Sequence, residues 1–228
     1  AVMGAPTDEG SPFMPGSRFG SRSIREQSLR FGANGVGYFD HDTNKVFLEY
    51  ELDNNRIVDV GDANVIPTDV EGTFENITNL TRMVLDKGAM PVVLGGDHAI
   101  TFPVVRAYNE PLHVVHFDAH IDYRPFVHGF EYTNSHAFRH IHQMDHVESL
   151  TQVGIRSIRN NKAWIDDSIN DGNRVIGMKE FKEMGPNGMT ELVPKDAAIY
   201  VSIDIDVLDL PLVPGCVSAE PNGMSYAD

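Results

Sequence analysis

The chain has 228 residues, 41% of them hydrophobic, which is enough to fill one large α/β core. Its 33 acidic against 18 basic residues give a formal net charge of −15, which argues against a nucleic-acid or anionic-membrane surface and fits a cationic ligand. A single cysteine, Cys216, excludes an internal disulfide framework and fits a reducing, cytoplasmic setting, and no apolar run approaches the roughly 18 residues of a membrane span.

In chain order, Ala1-Val2-Met3-Gly4 reads as the tail of a strand. Residues 5–22 are rich in Gly, Pro and Ser and read as a long loop, followed by a short helix over 23–31. Residues 32–56 read as a small hairpin or an irregular excursion, and 57–60 as a short strand. Val70, Phe74, Ile77, Leu80 and Val84 share one face of a helix running from Val70 to Lys87, with Thr68 or Asp69 as cap and Gly88 as terminator. A strand at 90–94, a helix at 100–106 and a strand at 112–117 follow. Residues 123–146 form a second polar loop region holding His128, His136, His140, His142 and His146. Strands at 150–153, 174–176 and 198–203 then alternate with helices at 161–169 and 179–184. Ser225-Tyr226-Ala227-Asp228 has the S-x-x-D form of a helix start. The alternation predicts one domain over residues 1–228, a three-layer α/β/α sandwich with a mostly parallel sheet, lacking terminal segments at both ends.

Three clusters stand at the C-terminal ends of apolar runs, where parallel α/β sheets place their ligands. They are Gly95-Gly96-Asp97-His98, Phe117-Asp118-Ala119-His120-Ile121-Asp122 and Asp204-Ile205-Asp206. Continued strand alternation would aim Asp118, His120 and Asp122 to one side. Two histidines and four aspartates carry too much negative charge for a dry site without cations. Carboxylates with a minority of imidazole suit hard or borderline divalent ions. Two such ions together can activate water near neutral pH, a hydrolytic apparatus without a nucleophilic side chain.

Together with Gly16-Ser17-Arg18-Phe19-Gly20 and Ser23-Ile24-Arg25, these motifs resemble the ureohydrolase family of arginases and agmatinases, across most of the chain. The resemblance implies an arginase-like fold and a two-Mn2+ centre, with Ni2+ as the alternative. It makes His98, Asp118, His120, Asp122, Asp204 and Asp206 the ligands, with Asp118 and Asp206 serving both ions. It makes Asp122 the proton donor to the leaving amine, His136 the proton shuttle and Glu220 the grip on the substrate guanidinium. Leu210 stands where the family has proline, and Gly215-Cys216-Val217-Ser218-Ala219-Glu220-Pro221-Asn222-Gly223 departs from the usual T-G-T-P-E-P-G-G. The loop 123–135 is nearer the agmatinase branch.

The resemblance therefore implies hydrolysis of a small cationic guanidino compound, agmatine first, to urea and an amine, by a cytoplasmic homo-oligomer, trimer or hexamer. A ureohydrolase for guanidinobutyrate, guanidine, a biguanide or a formimino compound, and a non-catalytic partner subunit, are the alternatives. Asp97 is read as a helix cap, Asp209 as a loop anchor, His113 and His116 as satisfied core or edge residues. His128, His140, His142 and His146 are read as surface residues.

Overall fold

Met3 and Ala5, wholly buried, sit in a strand that can be covered on both sides only if it is central, and so it is. The computed structural model describes residues 1–31 and 37–228, so the part of the 32–56 reading that falls on 32–36 lies outside the described residues. The chain divides into two compact units, residues 1–100 and 101–228.

The first unit contains β1 (Val2–Ala5), α1 (Gly20–Ser28), β2 (Tyr38–Asp40), β3 (Lys45–Phe47), α2 (Glu49–Asp53), β4 (Asp59–Asp62), α3 (Val70–Leu85) and β5 (Val92–Gly95). β1 is central in a parallel sheet of order β4-β1-β5, and β2 and β3 form the small antiparallel hairpin. Asp69 caps α3 by accepting the Gly72 N–H at 2.9 Å. The buried stripe Phe74, Ile77, Thr78, Thr81 and Val84 follows helical spacing, and Thr81 Oγ1 reaches Met3 Sδ of β1 at 3.8 Å.

α1 begins three residues before its sequence-based start. The loop ahead of it is ordered by the buried Asp8, whose carboxylate accepts from Gly16 N at 2.6 Å, Arg18 N at 3.2 Å and Arg18 Nε at 2.6 Å. Such tertiary hydrogen bonds override the loop propensity of Gly and Ser. Arg25 of α1 bonds Asp59 and Asp62 of β4.

The second unit contains α4 (Thr101–Val105), β6 (Leu112–Phe117), α5 (Ala137–His142), β7 (Val147–Ile155), α6 (Lys162–Asn170), β8 (Arg174–Gly177), α7 (Met178–Met189, kinked at Gly185) and β9 (Ile199–Ile203). All pairings in the sheet β8-β7-β6-β9 are parallel. Alternation along β6 builds a core on each face. Leu112 and Val114 pack with Val105, Phe138, Ile141 and Leu150, joined by Trp164 and Ile165 of α6. Val115 packs on the opposite face with Val153, Ile176, Met178 and Phe181. Helices therefore cover both faces, giving the expected three layers in this unit.

The polar loop expected over 123–146 contains α5, a six-residue helix held by Ala137, Phe138 and Ile141. β7 also runs past Gly154, a residue that reads as a strand breaker. With φ +93°, its missing side chain leaves room for Val207 and the Asp118 carbonyl. At the end of the chain, Ser225 N and Oγ bond Asp228 Oδ2 at 2.8 and 2.9 Å, the reach-back contact expected of the S-x-x-D form.

Candidate metal centre

β6 and β9 are neighbours in register, Phe117 opposite Ile203, and the Asp204 N–H donates to the Phe117 carbonyl at 2.8 Å. Asp118 and Asp204 therefore leave the sheet side by side. Asp204 caps the short turn that follows it, accepting the Asp206 N–H at 2.9 Å, and this turns Asp206 back toward β6. Asp206 Oδ1 accepts the Ala119 N–H at 3.0 Å, and its Oδ2 lies 3.0 Å from His120 Nδ1. His120 Nδ1 is also 3.4 Å from Asp118 Oδ1.

Among the described residues of the second unit, two groups of potential ligand atoms result, each within 4.8 Å: Asp118, His120 and Asp206, and Asp204, Asp206 and Cys216. Asp206 belongs to both. Burial, with Asp118 and Asp204 nearby, pushes its carboxyl up to about 7. Burial opposes charge on His120, yet its bonds to Asp118 and Asp206 outweigh this and lift the imidazole to about 10. His120 and Asp206 thus take up protons that a divalent cation would displace. Oxygen donors with one imidazole suit a hard or borderline ion, so these residues fit the metal that their motifs imply.

A buried chain of hydrogen bonds stands behind Asp118. Gln152 Nε2 donates to the Ile121 carbonyl at 2.6 Å and to His116 Nδ1 at 3.0 Å, while Gln152 Oε1 accepts from Ser168 Oγ at 2.7 Å. His116 Nδ1 is then an acceptor, so its proton is on Nε2, which donates to Asp118 Oδ2 at 2.8 Å. The ring stacks on Phe138, centroids 3.6 Å apart. His116 is satisfied in the core, as expected, and it fixes the orientation of a candidate ligand.

Glu220 is carried by a loop that Arg156 clamps. Arg156 donates to the carbonyls of Asp206 at 2.7 Å, Leu208 at 3.1 Å, Glu220 at 3.0 Å and Pro221 at 3.0 Å. Asp209 anchors the same loop, accepting the Gly223 N–H at 2.9 Å. Any Cβ on Gly223 would overlap the backbone at Leu208 and Asp209. Burial works against the Glu220 charge, but bonds from Ser157 and Arg159 hold its carboxyl below the usual range. Its Oε1 is 3.7 Å from His120 Nε2. Replacing Arg156 by alanine leaves several carbonyls without their donor. Unfolding free energy should drop by about 2–4 kcal/mol in a denaturant titration, and a change below about 0.5 kcal/mol would contradict the clamp.

The remaining expected residues are placed as follows. Asp122 is buried with φ +43° and belongs to neither ligand group, because β6 ends at Phe117 and alternation does not carry through residue 122. His98 opens the turn after β5 in the first unit and is buried; Asp97 beside it accepts the Ala99 N–H at 2.9 Å, as a cap should. Only His128 among the four loop histidines read as surface residues is exposed. His140, His142 and His146 are half-buried and bond the Glu131 carbonyl, Asn173 Oδ1 and the Val105 carbonyl.

His136 is wholly buried, with Nδ1 2.7 Å from Thr133 Oγ1. Burial, then the charges of Arg124, His140 and Arg139, depress it to about 4 from 6.5. The unfolded chain takes up this proton first as pH falls. The stability that His136 contributes should therefore be complete above about 6.5 and decline toward pH 4, by up to about 1.4 kcal/mol per pH unit. Urea unfolding across that range checks this as the difference between wild type and a His136→Gln variant, which should lack that part of the pH dependence.

Arg156, Ser157 and Arg159 form no recognisable sequence motif, yet all three touch the Glu220 loop. The one available signal is position: they follow β7, beside β6, at the ligand-bearing end of the sheet.

Carboxylates and an imidazole gathered at the carboxyl ends of parallel strands define a metal-binding α/β protein. The sequence model of the Arginase family matches residues 1–228, and the chain belongs to that family of metal-dependent amidinohydrolases. It is 34% identical over 235 residues to the proclavaminate amidinohydrolase of Streptomyces clavuligerus, covering 98% of this chain and 71% of that one. The solved structure of that enzyme superposes with a TM-score of 0.82 at 32% identity, covering 98% of this chain and 74% of the other. The guanidinopropionase of Pseudomonas aeruginosa is 34% identical over 233 residues, covering 98% and 70%. The agmatinase of Pyrococcus horikoshii is 28% identical over 229 residues, covering 99% and 74%. No described helix is long and apolar enough to cross a membrane.

Proposed function

We propose that this chain hydrolyses a guanidino compound to urea and an amine, with agmatine, giving putrescine, as the preferred substrate. The observation that carries the reading is the ionised Glu220 3.7 Å from His120, beside the group Asp118, His120 and Asp206. A planar cation can be gripped there by paired hydrogen bonds next to metal ligands.

The proposed ligands are Asp118, His120, Asp204 and Asp206, with Asp122 and His98 added on their motifs. The proposed ions are two Mn2+, with Ni2+ as alternative. When bound, such ions supply Lewis acidity and a water nucleophile at neutral pH. Glu220 orients the guanidinium, held in place by Ser157 and the Arg156 clamp. Asp122 delivers a proton to the departing amine nitrogen, and His136, neutral at physiological pH, exchanges protons during turnover. The net charge of −15 favours approach of a cation.

A guanidino acid is the second reading, favoured by the two 34% identical relatives named for proclavaminate and guanidinopropionate chemistry. A single arginase-like domain over 1–228, cytoplasmic residence and a homo-trimer or hexamer complete the proposal. Urea release across agmatine, guanidinobutyrate, guanidinopropionate, proclavaminate precursors, guanidine, a biguanide and a formimino compound, with Mn2+ or Ni2+ loaded, tests it. Agmatine should give the highest kcat/KM; a guanidino acid ahead of it would transfer the assignment, and no urea from any would end it.

A further inference from the structure

The chain places a guanidinium of its own where a substrate's is proposed to bind. Arg159 Nε donates to Glu220 Oε1 at 2.9 Å. Its Nη2 donates to the Ser218 carbonyl at 2.9 Å and lies 3.1 Å from His120 Nε2. One planar cation thus contacts both the proposed guanidinium grip and an imidazole of the candidate metal group. The arginine does so from a loop tip: its side chain is 56% exposed, and the adjacent Ile158 is 96% exposed. An ion pair that open to water is weak.

Arg159 is also unnecessary for holding Glu220. The Glu220 carbonyl is fixed by Arg156 at 3.0 Å, and its Oε1 accepts from Ser157 Oγ at 2.6 Å. The loop carrying Arg159 is set by its own turn, the Arg159 N–H donating to Ser157 Oγ at 3.1 Å. A side chain that engages the grip without being needed to build it has the character of an occupant.

Resting on the reading of Glu220 as the guanidinium grip, we propose that Arg159 is a displaceable internal competitor, occupying the Glu220 carboxylate beside His120 until a guanidino ligand drives it outward. It then sets how tightly any guanidino ligand must bind to open the grip, and not the ratio between ligands. Every ligand's apparent affinity is reduced by the fraction of molecules whose arginine is out. A bare guanidinium ion must overcome a tethered group of the same chemistry. A substrate with a tail gains further contacts and is penalised equally in ratio but remains bound at working concentration.

Calorimetric titration with guanidinium chloride on the metal-loaded protein tests this, using wild type, Arg159→Ala, Arg159→Gln, Glu220→Gln and Arg159→Ala/Glu220→Gln. Both single Arg159 variants should bind guanidinium roughly 1.5- to fivefold more tightly, the range an exposed ion pair supports, with metal content unchanged. Both proteins carrying Glu220→Gln should bind it weakly. Equal or weaker binding in the Arg159 variants, with Glu220→Gln still weakening it, overturns the competitor and leaves the Glu220 reading standing. Binding that ignores Glu220→Gln in both backgrounds removes that reading and this inference with it.

Discussion

Asp206→Asn is expected to lower urea release by about 10³-fold or more and to strip the protein of at least one metal ion. Asp206 is the residue common to both ligand groups, and its orientation is set by the Ala119 N–H and by Ser218 Oγ at 2.7 Å. Asparagine keeps the shape and one acceptor oxygen but loses the charge that two nearby cations need. The control is the metal-free fold. Because burial and neighbouring carboxylates raise the Asp206 carboxyl to about 7, ionising it works against folding above that pH. The metal-free variant should therefore be as stable as wild type or more so at pH 8, measured by chemical denaturation with chelator present. Lost activity together with a less stable metal-free fold would indicate structural damage instead.

Glu220→Gln is expected to lower kcat/KM by about 10²–10³-fold, mainly through KM, while leaving bound metal unchanged. Its carboxylate has the Ser157 hydroxyl and Arg159 as partners and makes its closest approach to the metal group at His120, 3.7 Å away. Glutamine preserves the loop, since Arg156 holds the Glu220 carbonyl and not its side chain. What disappears is paired, charge-assisted recognition of a planar cation. Steady-state urea release on agmatine and metal analysis on the same sample separate the two effects. A variant with near-normal kcat/KM would remove Glu220 from the site, and loss of metal would make it a ligand instead of a grip.

Much of this arrangement is written locally. β6 begins and ends where its apolar run does, and α3 is delimited by Asp69 as cap with a buried stripe that matches its helical spacing. The ligand motifs are legible because each follows a strand directly and local spacing keeps its members together. Asp122 shows the limit of that argument. Its direction depends on a backbone that leaves the strand at Phe117, which alternation cannot foresee. α5 is hidden because only three residues of a six-residue helix face the core. Gly154 looks like a strand end when its role is to let Val207 and Asp118 approach. The Glu220 loop is least legible of all. Arg156 reaches residues 50–65 positions away, and no local pattern marks an arginine for backbone carbonyls that distant in sequence.

Elemental analysis after Mn2+ loading and exhaustive buffer exchange tests the central claim most directly. Two ions per chain are predicted for the wild-type protein, with one or none for Asp206→Asn. Wild-type protein that retains no ion, or an Asp206→Asn variant that retains both, would contradict it.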